Sequence, residues 1–261
     1  MARRAFSLIE LLVVITIITL LMALLFPVLA SARDSALGSM CLSNQRQLMV
    51  AVQSHATDNQ GFMPYGPDEP NGGLSSGADD FYVINGMVTS LITDKFGTQV
   101  GAGLMLDNYL SETPEVLFCP GADQEVIAAD ELAKVGSDSA ISGYLYRHGS
   151  NTFADLFDFR GTGKPLDGRS RLDALGVNRD GVDAKAIFGD NNFILDPGSA
   201  FYDLFHRSNH DRKYANFAYA DGHAEQRRND DGAYEADIVG TNLLSAIGKM
   251  MEVLENADAS E

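Results

Sequence analysis

From Leu8 to Ala32 the chain is almost continuously apolar, broken chiefly by Glu10 near its start and Pro27 near its end. No charged residue falls in the 20 positions from Leu11 to Ala30. Twenty helical residues cover about 30 Å, the thickness of a bilayer's hydrocarbon core. The pattern then changes rather than stops. Leu37, Met40, Cys41, Leu48, Ala51, Val52 and His55 recur at spacings of three, four or seven, the stripe of an amphipathic helix. Asp58-Asn59-Gln60-Gly61 supplies polar breakers and a glycine suited to a helix C-terminus. The two patterns predict one helix from Phe6 to Asp58, about 80 Å long at 1.5 Å per residue. Pro27 lacks the amide proton that a helix interior uses and predicts a kink.

After Gly61 the periodicity is lost. Residues 64–80 are dense in Pro, Gly, Asn and Asp and read as a surface loop. Short strands are predicted at Phe81–Ile84, Val116–Cys119, Tyr144–Tyr146 and Ala186–Phe188, with a helical turn or two at Leu104–Leu110 and a short helix around Gln124–Lys134. The clearest local signal lies late in the chain. Ala215–Ala220 alternates, Asp221-Gly222 reads as a type I′ turn, and His223–Gln226 returns as the second strand of a hairpin. Leu243, Leu244, Ile247, Met250, Met251 and Leu254 form a final helical stripe over about 241–256, which either docks on the domain or offers a surface to a partner. Helices and short strands in this order define an α+β protein.

Charge narrows the functional classes. Three of the 19 basic and one of the 36 acidic side chains precede Asp34, so residues 34–261 carry 16 basic against 35 acidic groups, a net of −19. That excess excludes nucleic-acid binding, which needs a basic face against phosphates. The 14 Phe and 9 Tyr spread along the chain are the material of a packed core, not of a disordered tail. No G-x-S-x-G, H-E-x-x-H or phosphate-binding Gly-Lys loop is present, and Gly101-Ala102-Gly103 lacks the rest of a dinucleotide fingerprint. Nothing in the sequence specifies an enzyme. His206, His210, Asp221, His223 and Glu225 form a metal-like spacing, but Asp221 serves equally as turn former and His223 as a surface residue. Calcium, at the loops Asp58–Gly61 or Asn229–Gly232 with their oxygen ligands, is a more natural ion here than zinc, although neither loop matches an EF-hand. No cofactor is otherwise expected.

The N-terminal segment Arg3-Arg4-Ala5-Phe6-Ser7-Leu8-Ile9-Glu10-Leu11-Leu12-Val13-Val14-Ile15 closely resembles the N-terminus of type IV pilins and type II secretion pseudopilins. The resemblance implies cleavage between Ala5 and Phe6 by a prepilin peptidase and methylation of the new Phe6 amine. Ala5 stands where the family normally has Gly. Glu10 becomes the carboxylate that meets the N-terminal amine of a neighbouring subunit, a pairing that compensates an anion buried in lipid. A helix-disrupting proline at the position of Pro27 is also a family feature. Three further stretches resemble the large prepilin-type proteins with an H-X9-DG element: Cys41-Leu-Ser-Asn44 with Asp58–Pro64, Phe118-Cys119-Pro120, and His210 through Asp221-Gly222-His223. Ten residues separate His210 from Asp221, one more than that label specifies, and His206 is the second candidate histidine. The family fold implied is pilin-like, a long kinked helix packed on a small antiparallel sheet with loop-rich insertions.

These expectations divide the chain into a leader at 1–5, a membrane and assembly half-helix at 6–33, and an extracytoplasmic head at 34–261 with a hairpin element at 206–226. Arg3 and Arg4 keep the leader cytoplasmic, so the chain crosses the inner membrane once with its head in the periplasm, reaching the surface or a pseudopilus on assembly. The expected partners are the prepilin peptidase, other pilin or pseudopilin subunits and inner-membrane lipid. Ala30-Ser31-Ala32 is a rival signal-peptidase pattern, opposed by Glu10 within the apolar run and by the run's length. Outside the cytoplasm Cys41 and Cys119 either form a disulfide, closing a loop of about 78 residues for about 4 kcal/mol, or stay as two small buried apolar groups. The function expected is structural, a filament subunit; the alternative is an anchored extracytoplasmic binding or hydrolytic domain that never polymerises.

Overall fold

A computed structural model describes residues 8–64, 88–93, 97–122, 127–148, 170–178, 180–198, 208–240 and 243–259. Ala5, Phe6, His206 and the strand expected at Phe81–Ile84 lie outside them.

Helix α1 runs from Leu8 to Asp58, 51 residues or about 76 Å. Pro27 lies inside it, and the helix continues on both sides. The ring leaves the Ala23 carbonyl without its usual amide donor. Burial begins only at Gly38 and then follows Cys41, Gln45, Leu48, Val52 and Ala56, steps of three and four. Cys41, Leu48, Ala51 and Val52 of the expected stripe are buried; Met40 is exposed, and Gly38 and Gln45 face inward as well. The reason is local. A Cβ on Gly38 would stand 2.6 Å from the Tyr214 hydroxyl, so only glycine admits that approach. Gln45 Nε2 donates to Asp190 Oδ1 at 3.2 Å and to the Asn216 carbonyl at 3.1 Å, which engages the amide nitrogen of a side chain that periodicity assigns to solvent. The helix ends in a Schellman-type turn, with the Gly61 amide donating to the Ala56 carbonyl at 2.7 Å. Its left-handed positions are Gln60 (φ 58°) and Gly61 (φ 89°).

The head is built on a five-stranded sheet. Strands β1 (Val88–Thr93), β2 (Ala140–Arg147), β3 (Ala186–Asp190), β5 (Tyr214–Tyr219) and β6 (Ala224–Arg228) lie in the order β1-β2-β3-β5-β6, every neighbour antiparallel. Short β4 (Phe193–Ile194) and β7 (Ala236–Asp237) pair in parallel beside it. Period-two alternation sorts the side chains between two faces. Tyr144, Tyr146, Phe188 and Ala218 share a core with α1, whereas Leu145, Phe217 and Tyr219 pack against the C-terminal helix. Short helix α2 (Ala128–Ala133) covers the β2 end, and Glu131 accepts the Ile141 amide at 2.9 Å.

Two local expectations are corrected. Val116–Leu117 belongs to a 3₁₀ turn over Pro114–Leu117, not a strand; Pro114 starts the turn and its buried residues pack on α1, leaving only Phe118 extended. The hairpin turn is not type I′, because only Gly222 (φ 94°) has positive φ there. The Gly222 amide donates to the Tyr219 carbonyl at 2.8 Å and the Tyr219 amide to the His223 carbonyl at 3.0 Å, a type I turn with a glycine bulge. Leu104–Leu110 is a 3₁₀ turn over Gly101–Met105 followed by tight turns.

Terminal helix α3 (Leu243–Ala259) docks on the sheet face away from α1, burying Met251, Val253, Leu254 and Ala257; the side chains of Leu243, Leu244 and Ile247 lie outside the described part. Its end is locked by a buried pair. Arg147 donates to both carboxylate oxygens of Asp258, at 3.1 and 3.0 Å, and the amides of Lys185 and Ala186 each donate to Oδ1 at 2.8 Å. The result is an α+β protein, a long N-terminal helix laid over an antiparallel sheet in the pilin-like manner.

Candidate functional site

The first half of α1 carries its apolar surface outward. Every large apolar side chain between Leu8 and Leu29 is 47–86% exposed, and among the described residues none of the helix's apolar window is buried. Polar groups within this stem are satisfied by the helix itself: Thr16 Oγ1 donates to the Leu12 and Val13 carbonyls, and Thr19 Oγ1 to those of Ile15 and Thr16. Such a surface suits hydrocarbon or the apolar faces of like helices, because the helix pairs its own backbone groups apart from the Ala23 carbonyl opposite Pro27. Glu10 sits in the first turn, where the N-terminal end of the helix dipole favours an anion.

Where α1 enters the head, residues remote in sequence meet. Cys41 (α1), Cys119 (loop after the 3₁₀ turn), Asp190 (end of β3) and His210 (before β5) are all buried, and one ligating atom from each lies within 4.8 Å of every other. Cys41 Sγ is 3.2 Å from Asp190 Oδ1 and 3.3 Å from Tyr144 Oη. Cys119 Sγ is 3.3 Å from His210 Nε2, which is 3.5 Å from Asp190 Oδ2. Both cysteines are free thiols.

The carboxylate of Asp190 is held from several sides. The Asn216 amide and Nδ2 donate to Oδ2 at 2.8 and 2.9 Å; Asn209 Nδ2 and Gln45 Nε2 donate to Oδ1 at 3.3 and 3.2 Å. Burial pushes the Asp190 carboxyl up, with the His210 charge and the Asn216 bonds pulling the other way. Cys119 is the more acidic thiol. Burial opposes its ionisation, but hydrogen bonds to Cys41 and His210 outweigh it, whereas burial, the bond to Cys119 and the Asp190 charge push Cys41 up.

His210 is placed by an unusual turn. His210, Asp211 and Arg212 have φ of 56°, 51° and 58°, three successive non-glycine residues in the left-handed region, at about 1–2 kcal/mol each. The turn is held by the His210 amide donating to the Gly121 carbonyl at 2.8 Å and by the Arg212 amide donating to the Asn209 carbonyl at 2.9 Å. Gly121 has no side chain because a Cβ there would fall on the His210 ring. The ring stacks on Tyr214 with centroids 4.5 Å apart, and its Nδ1 is 3.1 Å from Tyr214 Oη. Burial pushes the Tyr214 phenol up to about 12, helped by the Asp190 charge. Its proton therefore stays on and is donated to the Asp34 carbonyl at 3.0 Å. The Tyr214 oxygen is left to accept from Nδ1–H, and Nε2 presents its lone pair to the cluster.

Parts of the three stretches singled out in the sequence meet here, the Asp58–Pro64 segment not among them. Asn44 Nδ2 donates to the Phe118 carbonyl at 3.1 Å, Cys119 reaches His210, and Asn216 Nδ2 lies 3.2 Å from His210 Nε2. The Asp221-Gly222 end of the last stretch stands apart. Asp221 Oδ1 accepts the His223 amide at 3.0 Å and lies 2.6 Å from His223 Nδ1, a half-exposed turn in which His223 stacks on Tyr219. Glu225 is engaged by Tyr219 Oη at 2.7 Å. In the calcium-like loops Asp58 accepts Tyr109 Oη at 2.7 Å and Asn229 Oδ1 accepts the Tyr234 amide at 2.8 Å. Asp190, Asn209, Asn216 and Gln45 escaped the sequence reading. The readable sign was the polar run Asp190-Asn191-Asn192 directly after the apolar Ala186-Ile187-Phe188.

The long N-terminal helix with its second half packed on an antiparallel sheet is a pilin-like fold, and its first half is long and apolar enough to cross a membrane. Residues 1–26 match the prokaryotic N-terminal methylation motif. Neither a curated protein nor a solved structure matches the chain.

Proposed function

We propose that the chain is a structural subunit of a type IV pilus-like or type II secretion filament. A prepilin peptidase cuts between Ala5 and Phe6, the Phe6 amine is methylated, and subunits assemble by lateral packing of their stems. Before assembly the stem lies in the inner membrane with the acidic head in the periplasm. Glu10 pairs with the methylated amine of the adjoining subunit. The observation that supports the reading is a methylation motif over residues 1–26 that runs into a helix whose apolar side chains are exposed among the described residues.

The mass of the mature N-terminus is the first test. A chain beginning at N-methylated Phe6 is expected; one beginning at Arg33 means signal-peptidase cleavage and removes the stem altogether. Assembly is tested by Glu10→Leu, which keeps the helix apolar and should abolish incorporation into filaments. Filaments of normal number and composition carrying that variant would refute the role of Glu10.

A further inference from the structure

We propose that Cys41, Cys119, Asp190 and His210 form a zinc site that clamps α1 to the head. Two sulfurs, one imidazole nitrogen and one carboxylate oxygen are a donor set that zinc takes and that calcium, which needs oxygen ligands alone, does not. Tetrahedral bonds of about 2.0–2.3 Å put ligand atoms about 3.3–3.8 Å apart. The spacings here are 3.2 Å for Cys41 Sγ to Asp190 Oδ1, 3.3 Å for Cys119 Sγ to His210 Nε2 and 3.5 Å for His210 Nε2 to Asp190 Oδ2, and one ligating atom from each of the four lies within 4.8 Å of every other. Small shifts of side chains that already converge would complete the shell.

The surroundings have the features that orient metal ligands. His210 Nδ1 lies 3.1 Å from Tyr214 Oη, whose proton goes to the Asp34 carbonyl, so an Nδ1–H bond there turns the Nε2 lone pair inward, the arrangement in which a second partner sets the tautomer of a ligating histidine. Two thiolates and a carboxylate around one dication leave a net charge of −1. Four N–H donors, two from Asn216 and one each from Asn209 and Gln45, already face that charge at Asp190. An entry path exists as well. A surface cleft lined by Met40, Asn44, Val116, Phe118 and Pro120 reaches Cys119. The left-handed turn at 210–212 acquires a purpose, since it is what lays the imidazole against two thiols.

The ligands come from α1, the Pro114–Leu117 turn's exit, β3 and the lead-in to β5. One ion would join four segments that no continuous stretch of chain connects. Its loss would loosen the junction through which a force on the stem reaches the sheet. The competing state is a Cys41–Cys119 disulfide, which removes both sulfurs from the donor set.

The test uses the full-length chain purified in detergent, with reductant and without chelator, and metal analysis by mass spectrometry. One zinc per chain is expected, with Co²⁺ exchange giving thiolate-to-cobalt charge-transfer bands and tetrahedral visible bands. Asp190→Asn keeps the shape and should weaken zinc binding at least tenfold, and Cys119→Ala should abolish it. His223→Gln, in the separate Asp221 turn, should leave the stoichiometry at one. If a variant does not fold, titration of the reduced wild-type chain with zinc decides, since binding must release thiol protons. A chain whose mass is two hydrogens short and that, once reduced, takes up no added zinc overturns the proposal. So does zinc uptake indifferent to Cys119→Ala.

Discussion

Replacing Asp258 by alanine isolates what fastens α3 to the sheet. In the wild-type chain the carboxylate meets the Arg147 guanidinium with two bonds and also takes the amides of Lys185 and Ala186, while Asn178 Nδ2 approaches Oδ2 at 3.3 Å. The side chains of Arg147 and Asp258 are 2% and 0% exposed, so water cannot replace the lost partner without entering the core. Removing one member of such a buried pair costs about 3–5 kcal/mol. Two amides left without an acceptor add about 1–3 kcal/mol each where water stays out. A domain's whole stability is about 5–15 kcal/mol, so Asp258→Ala should bring the chain close to unfolding. The Arg147 bond to the Ala186 carbonyl at 2.9 Å is kept by the variant, so the loss is set by those costs together, about 5–11 kcal/mol where water stays out. The measurement is urea unfolding of the full-length chain in micelles, followed by tyrosine near-UV circular dichroism, since the chain has 9 Tyr and no Trp. The double variant Arg147→Met, Asp258→Leu should lose less than Asp258→Ala alone, because it strands no charge. A loss below about 1 kcal/mol for Asp258→Ala, or additive losses in the double variant, would show that the pair does not hold α3 as argued.

His148 provides a pH test. Burial lowers its folded value from the ordinary 6.5 to about 4, so the unfolded chain takes the proton first as pH falls. Its contribution is complete above about pH 6.5 and is lost on descent to about pH 4, up to about 3 kcal/mol, and His148→Gln should flatten that part of the stability profile. Gly121→Ala drives a Cβ into the His210 ring and should cost about 1–3 kcal/mol. It should also lower zinc uptake, and an unchanged unfolding midpoint would mean that the left-handed turn is free to move. Gly38→Ala sets a methyl against the Tyr214 hydroxyl at the stem–head junction. A loss of about 1–3 kcal/mol is expected there, and stability equal to wild type would refute the close approach of α1 to β5.

Patterns that repeat along the chain could be read without coordinates. Twenty uncharged residues after Leu11 specify a membrane-compatible helix because backbone satisfaction in lipid leaves few other choices. The hairpin around Asp221-Gly222 was legible because its pairing is local, although the turn type depended on which single residue took positive φ. The α1 stop at Asp58 was legible for the same reason. The inward face of α1 was legible at Cys41, Leu48, Ala51 and Val52 but not at Gly38 and Gln45, which are buried beside Tyr214, Asp190 and Asn216, residues 145 or more positions away along the chain. Cys41, Cys119 and His210 each stood out in the sequence, yet Asp190 and the tautomer of His210 come from neighbours supplied by four separate segments. Composition and period determine where a chain wants lipid, helix or turn. Which polar atoms share a dry space is decided only when distant segments close around it, since a buried donor or acceptor is tolerable only beside its partner.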